Sequence, residues 1–176
     1  MILIAVPYHK QKRYSLNHLM DWIDTQTDDV IIKVHTGEYG EEGILKKTFN
    51  YFRDLTLNGE YTHLLIVEAD TIPPKDSVAK LLSNQVDVVS GLYRYRDGDK
   101  NLVAWGIEES DTDIVPVEGT GTGCLLLSRK ALETDWTYDQ VDADYPYMDK
   151  LRQNGIQPYL DKTVICKHYW TEKEYA

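Results

Sequence analysis

Basic residues, cysteines and long apolar runs are all scarce in this sequence. Lys and Arg number 19 against 29 Asp and Glu over 176 residues, a formal net charge of −10. That balance disfavours nonspecific nucleic-acid binding or an anionic membrane surface, which need basic faces. The few cations are grouped, at Lys10, Lys12 and Arg13, at Lys46 and Lys47, and at Arg94 and Arg96. Groups of that size suit a small anionic ligand such as a nucleotide. Cysteine occurs twice, as Cys124 and Cys166, each inside an apolar run. Two buried thiols are expected, not a disulfide framework. No apolar stretch is long enough to span a bilayer, and the first apolar run ends at Pro7 instead of continuing as a signal peptide. The expectation is a cytoplasmic protein with no transmembrane segment. Repeats, low-complexity segments and linkers are lacking too, and the length suits one domain over 1–176.

What is present centres on Tyr61-Thr-His-Leu-Leu-Ile-Val-Glu-Ala-Asp-Thr-Ile-Pro-Pro74. The continuous run Leu64–Val67 suits a strand buried on both faces of a parallel sheet, although a buried helix turn reads alike over so few residues. Pro73 and Pro74 support the strand, since neither continues a ladder or sits inside a helix. The run stops at Glu68-Ala-Asp70. If the backbone stays extended, residues i and i+2 face one side, so both carboxylates project from the strand's C-terminal edge. Open α/β sheets bind ligands at that edge. A pair of hard oxygen ligands suits Mg²⁺ or Mn²⁺.

Around this stretch strands and helices alternate. Ile2–Val6 reads as a first strand ended by Pro7-Tyr8-His9. Ser15 is a candidate N-cap for a helix with Leu16, Leu19, Met20 and Ile23 on one face. Val30–Val34 reads as a second strand. A helix over about 42–57 carries Leu45, Phe49, Phe52 and Thr56 on one face, with Gly59 as its stop. After the prolines, Asp76 can cap a short helix with Val78, Leu81 and Leu82 inward, and Val86–Val89 is a further strand. The alternation predicts an α/β fold with a mostly parallel sheet flanked by helices. Beyond Gly91 the pattern turns antiparallel, with short strands over Leu102–Ile107 and Ile114–Val117. Gly123–Leu127 is another buried strand, Pro146–Asn154 a helix with Gly155 at its C′ position, and Thr163–Lys167 a last strand ending at His168.

Gly119-Thr-Gly-Thr-Gly123 resembles a phosphate-binding loop only superficially. It precedes a strand, where the dinucleotide and phosphate-loop fingerprints require a following helix, and it carries no lysine. It marks either a turn or a close approach of backbone to ligand. Asp142-Ala-Asp-Tyr-Pro-Tyr-Met-Asp149 places carboxylates at a helix start, where capping and dipole stabilisation compete with a general-base role. His168 differs from the other histidines in ending an apolar strand. Tyrosine is abundant, with 13 copies. Tyr93, Tyr95, Tyr145, Tyr147, Tyr159, Tyr169 and Trp170 are available for sugar or base stacking as well as for packing.

Taken together, the chain resembles the GT-A type nucleotide-sugar glycosyltransferases, especially the inverting family-2-like group and its compact archaeal or viral members. The resemblance is carried by Ile2–Val6 with Pro7-Tyr8, by Leu64-Leu-Ile-Val-Glu-Ala-Asp70 as a D-x-D-like element, by Val86–Gly91, by Gly121-Thr-Gly-Cys-Leu-Leu-Leu-Ser-Arg129, by Asp144 with its helix and Gly155, and by Tyr159-Leu-Asp161 through His168. It spans nearly the whole chain.

The resemblance implies a Rossmann-like GT-A domain over 1–176, with 1–91 as the nucleotide-sugar half and 92–176 as the acceptor and catalytic half. It implies a UDP- or GDP-sugar donor bordered by Pro7, Tyr8, His9 and Asn50, with Phe49 standing where the group often has arginine before that asparagine. Glu68, in place of the group's first aspartate, would hold ribose or a metal-bound water. Asp70 would bind Mn²⁺ or Mg²⁺, with His168 as a further ligand. Asp144 would be the catalytic base. Ala143 replaces the acidic residue that usually precedes the base, which keeps Asp142 in play. Gly121, Thr122 and Asp142 would face the acceptor, a glycan, protein or lipid hydroxyl. The chain ends eight residues after His168, so the acceptor cover is expected to be small or supplied by a partner such as a second copy in a homodimer. A sugar-phosphate nucleotidyltransferase is the same-fold rival, but Pro7-Tyr-His-Lys10 is not the glycine- and arginine-rich loop that it would need. A noncatalytic nucleotide-sugar or glycan-binding module is the rival from another class.

Overall fold

The computed structural model describes residues 1–8, 10–26, 30–36, 44–95, 101–108, 110–136, 144–171 and 175. The expected residues His9 and Asp142 lie outside them.

Seven strands form the central sheet: β1 (Ile2–Tyr8), β2 (Val30–Thr36), β3 (His63–Val67), β5 (Val88–Leu92), β7 (Ile114–Pro116), β9 (Cys124–Ser128) and β10 (Pro158–Ile165). Their order is β2-β1-β3-β9-β5-β10-β7. β1 is parallel to both β2 and β3, and β10 is parallel to β5. β9 runs antiparallel to both β3 and β5, and β7 antiparallel to β10. Five strands therefore point one way and two are reversed. Two small ladders sit beside the sheet: β4 (Thr71–Ile72) with β11 (Lys167–His168), and β6 (Ala104–Trp105) with β8 (Gly119–Thr120).

The apolar runs alternate between two cores. Leu3, Ala5, Leu64, Ile66, Leu125 and Leu127 face one cluster, and Ile2, Ile4, Val6, Leu65, Val67 and Leu126 face the other. Helices cover both faces. On the first lie α2 (Ile44–Asn58), α4 (Arg129–Leu132) and α5 (Asp144–Gln153), through Phe49, Phe52, Leu132, Tyr147 and Leu151. On the second lie α1 (Leu16–Ile23) and α3 (Ser77–Ser83), through Leu19, Trp22 and Leu81. Every strand residue in these runs is buried, which is why the strands read as continuous rather than alternating. Each buried leucine or isoleucine contributes on the order of 1.5–3 kcal/mol.

Several local expectations shift. α1 is rotated from its expected face: Met20 is exposed, and Trp22 packs inward and donates from Nε1 to the Pro74 carbonyl at 3.2 Å. Ser15 does not cap α1; a 3-10 helix, Lys10–Ser15, precedes it, and the Ser15 hydroxyl donates to the Ala69 carbonyl at 2.6 Å. Asp76 makes no side-chain cap on α3 and pairs with Lys80 one turn on. The strand expected at Val86–Val89 lies at Val88–Leu92, the one at Leu102–Ile107 shrinks to two residues, and the last strand divides into β10 and β11. α5 starts at Asp144, two residues before Pro146. Its end is as expected: Gly155 has φ 75°, with Ile156 N–H bonded to Leu151 O and Gly155 N–H to Arg152 O. That paired closure by a left-handed glycine satisfies the last carbonyls of the helix.

Candidate functional site

β3 ends at Val67, and the chain turns at once: Thr71 N–H donates to Glu68 O at 2.9 Å. The extended-backbone argument for Glu68 and Asp70 therefore gives way to a turn. Glu68 stays half-buried at the edge, anchored by its N–H to Gly123 O, whereas Asp70 is fully buried. The Ser15 bond to Ala69 O fixes the middle of this turn from the α1 side.

The β4–β11 ladder then sets His168 opposite Thr71, and Tyr169 N–H donates to Asp70 O at 2.7 Å. The result is His168 Nε2 at 3.6 Å from Asp70 Oδ2, with the His168 side chain only 9 % exposed. The other ring nitrogen, Nδ1, lies 2.7 Å from the Arg94 carbonyl. A carbonyl only accepts, so Nδ1 carries a proton, and in the neutral ring Nε2 presents its lone pair. Fixing one imidazole nitrogen on a backbone oxygen is the usual way of orienting the other toward a metal. Among the described residues, no group of three or more His, Cys, Asp or Glu forms a complete metal site. The carboxylate suits either Mn²⁺ or Mg²⁺, with substrate phosphates and water completing the shell, whereas the imidazole favours the transition ion Mn²⁺, since Mg²⁺ takes oxygen ligands.

Gly121-Thr-Gly123 forms the floor between these groups and Asp144. Thr122 Oγ1 donates to Glu68 Oε1 at 2.7 Å and lies 3.3 Å from Asp144 Oδ1. Tyr93 lies directly beneath. Its hydroxyl accepts from Gly123 N–H at 2.8 Å, and its ring meets that of His168 edge-on at 5.4 Å. A Cβ on Gly121 would come within 2.4 Å of the Tyr93 oxygen, and one on Gly123 within 2.7 Å of its Cζ. The glycines therefore make room for a tyrosine below. Burial, with the Glu68 and Asp144 carboxylates nearby, pushes the Tyr93 phenol well above its ordinary value of 10.0, so it stays a neutral hydroxyl.

Of the residues named from sequence, Glu68, Asp70, Thr122, Asp144 and His168 converge here, with Gly121 between Tyr93 and Asp144. Pro7 and Tyr8 form the half-buried C-terminal end of β1. Asn50 is engaged elsewhere. Its Nδ2 donates to Trp136 O at 2.7 Å and its Oδ1 accepts from Trp136 N–H at 3.1 Å. That amide fastens the chain after α4 to α2. The sequence marks Tyr93 only as one of several rings available for stacking and Arg94 only as one of a pair of cations. That the Tyr93 hydroxyl supports Gly123 and the Arg94 carbonyl orients His168 has no sequence signal beyond their place just past the end of a buried strand.

No protein-family model matches the chain, and no curated protein matches it. Solved structures do share its fold. The A197 protein from STIV superposes with a TM-score of 0.72 at 17 % identity, covering 99 % of this chain and 88 % of that one. The mannosyltransferase PcManGT from Pyrobaculum calidifontis, solved with GDP-Man and Mn²⁺, gives 0.66 at 15 % identity over 94 % of this chain and 55 % of its own. S. aureus TarS 1-349, solved with UDP-GlcNAc, gives 0.62 at 11 % identity over 99 % and 57 %. The chain thus spans little more than half the length of the latter two. Nucleotidyltransferases share the fold as well, the inositol-1-phosphate CTP transferase from T. maritima at a TM-score of 0.56. The protein has the Rossmann-like GT-A fold, with its candidate site at the C-terminal edge of the central sheet.

Proposed function

We propose that the protein is a glycosyltransferase that moves a sugar from a nucleoside-diphosphate sugar, a UDP- or GDP-sugar, to an acceptor hydroxyl with inversion at the anomeric carbon. The observation that carries this reading is the convergence on Thr122 of Glu68 and Asp144, beside the oriented Asp70–His168 pair. Asp144, at the first turn of α5, takes the proton of the acceptor hydroxyl as that oxygen attacks the anomeric carbon. A negative charge at a helix N-terminus is favoured by the helix dipole. The bond from the anomeric carbon to the phosphate oxygen breaks, and its electron pair leaves with the nucleoside diphosphate. Asp70 and His168 would hold Mn²⁺ or Mg²⁺, which supplies charge stabilisation to the leaving diphosphate. Glu68, held by Thr122, faces ribose or a metal-bound water, and Pro7 and Tyr8 border the base.

The nucleotidyltransferase reading has support from the shared fold. The two readings differ in products, since a nucleotidyltransferase releases pyrophosphate and a glycosyltransferase releases a nucleoside diphosphate. A thermal-shift panel of UDP- and GDP-sugars with and without Mn²⁺, followed by product analysis on the best ligand, tests the proposal. Metal-dependent stabilisation and nucleoside diphosphate release are expected. Stabilisation only by a nucleoside triphosphate with sugar phosphate, with pyrophosphate as product, would refute it.

A further inference from the structure

Beside the candidate base lies an aromatic stack that the proposed reaction does not use. Tyr145 follows Asp144 in the first turn of α5 and is 56 % exposed. Its ring stacks on Trp105 with centroids 5.3 Å apart and planes 24° from parallel. Trp105 sits opposite Gly119 in the β6–β8 ladder, and a Cβ on that glycine would fall 2.3 Å from the indole Cζ2. The indole is therefore seated on strand backbone. In turn it supports a tyrosine ring that remains open to solvent. Exposed tyrosines are common, Tyr51 and Tyr95 among them; Tyr145 differs in lying flat on a second ring in the helix turn that carries Asp144, an amphipathic platform suited to a ligand.

We propose that Tyr145, backed by Trp105, is the acceptor subsite and that the acceptor is an uncharged carbohydrate whose ring stacks on it; this rests on the glycosyltransferase reading above. A Cβ on Gly121 would lie 3.3 Å from Asp144 Oδ2 and one on Gly119 2.3 Å from Trp105 Cζ2, so the carboxylate and the platform rest on glycines two residues apart, and a sugar ring on the platform has that carboxylate at its edge. A pyranose has an apolar C–H face for the aromatic ring and a polar rim for neighbouring carboxylates, the combination typical of a small-ligand site. A single exposed ring offers too little apolar area for a lipid chain. The formal net charge of −10 disfavours an anionic glycan. The stack is already ordered, so little side-chain entropy is lost when ligand binds.

The test is saturation-transfer NMR and titration of the full chain with maltohexaose, cellohexaose, chitohexaose and mannohexaose, in the absence of any nucleotide sugar. At least one is expected to bind. Tyr145→Ala should weaken that binding about tenfold, the upper scale of a stacking contact, while Tyr145→Phe, which keeps the ring, should stay near wild type. The platform is overturned if none of the four binds, if Tyr145→Ala binds as well as wild type, or if Tyr145→Phe is as weak as Tyr145→Ala. An equal loss of nucleotide-sugar affinity in Tyr145→Ala would also overturn it, because the ring would then be supporting the pocket as a whole. Oligosaccharide binding through Tyr145 by a chain that takes no nucleotide sugar would sink the transferase reading and leave the platform standing.

Discussion

Thr122 donates its one hydroxyl proton to Glu68 Oε1 at 2.7 Å while its oxygen stands 3.3 Å from Asp144 Oδ1. A residue only 2 % exposed thus spaces two carboxylates of the candidate site. It acts through them and is a positioning residue. Thr122→Val keeps the shape and deletes the donor, at a cost of about 1.5–3 kcal/mol for a hydrogen bond to a charged partner. Transfer is expected to fall roughly tenfold or more, with Thr122→Ser restoring most of it. Steady-state kinetics of the three proteins decide; a Thr122→Val enzyme with unchanged kcat/KM would remove the residue from the machinery.

Asp144→Asn preserves volume and removes the base. Nucleotide-sugar binding should survive, while transfer drops by a factor on the order of 10²–10⁴, the usual share of general-base catalysis. NMR of the wild-type product should show the anomeric configuration inverted. Retention of configuration, or near-normal transfer by the variant, refutes the mechanism and leaves the fold unaffected.

His168→Ala should lower Mn²⁺ affinity by more than about tenfold, as losses in metal shells generally do. Asp70→Ala should abolish metal-dependent nucleotide binding. Isothermal calorimetry with and without Mn²⁺ measures both. A fall in Tm with metal affinity unchanged would make His168 a packing residue only.

Arg129 offers a prediction about stability alone. Its guanidinium donates to the carbonyls of Thr56, Leu57, Gly59 and Tyr61 at 2.7–3.2 Å, gathering the C-terminal end of α2 and the loop into β3. Lysine cannot span a fan of acceptors with its single nitrogen. Arg129→Lys should cost about 1–2 kcal/mol, a Tm loss on the order of 2–8 °C for a chain of this size. Chemical denaturation checks it, and an unchanged midpoint would show the fan to be energetically idle.

His63 gives a pH dependence. Burial, and then the chain's α-amino group, hold its imidazole below the ordinary 6.5, outweighing the pull of Asp87. A lowered folded-state value means that the unfolded chain takes up the proton first as pH falls. Stability is therefore unaffected well above 6.5 and decreases as pH drops below it. His63→Gln should flatten that part of the Tm–pH curve. A wild-type curve no steeper than the variant's between pH 7 and pH 5 would contradict the assignment.

Much of this was legible in residue order. The apolar runs Ile2–Val6, Leu64–Val67 and Cys124–Leu127 announce buried strands, because a short run without alternation that stops at a turn or proline suits a strand covered on both faces better than a helix. Gly155 announces a helix end because its left-handed φ suits a residue without a side chain. Glu68, Asp70 and His168 stand out because each follows an apolar strand, and Asp144 because it opens a helix. What sequence could not supply is pairing across distance. It cannot say that β9 enters antiparallel between β3 and β5, because a buried strand reads the same in either direction. Nor does it show that the β4–β11 ladder carries His168 to Asp70, since two-residue strands leave no periodic signal. Tyr93 under the glycines, Asn50 clasping Trp136 and Ser15 reaching Ala69 are likewise fixed only when the elements close on each other. Local pattern determined which groups exist at the ends of strands, and the packing of strands far apart in sequence decided which of them meet.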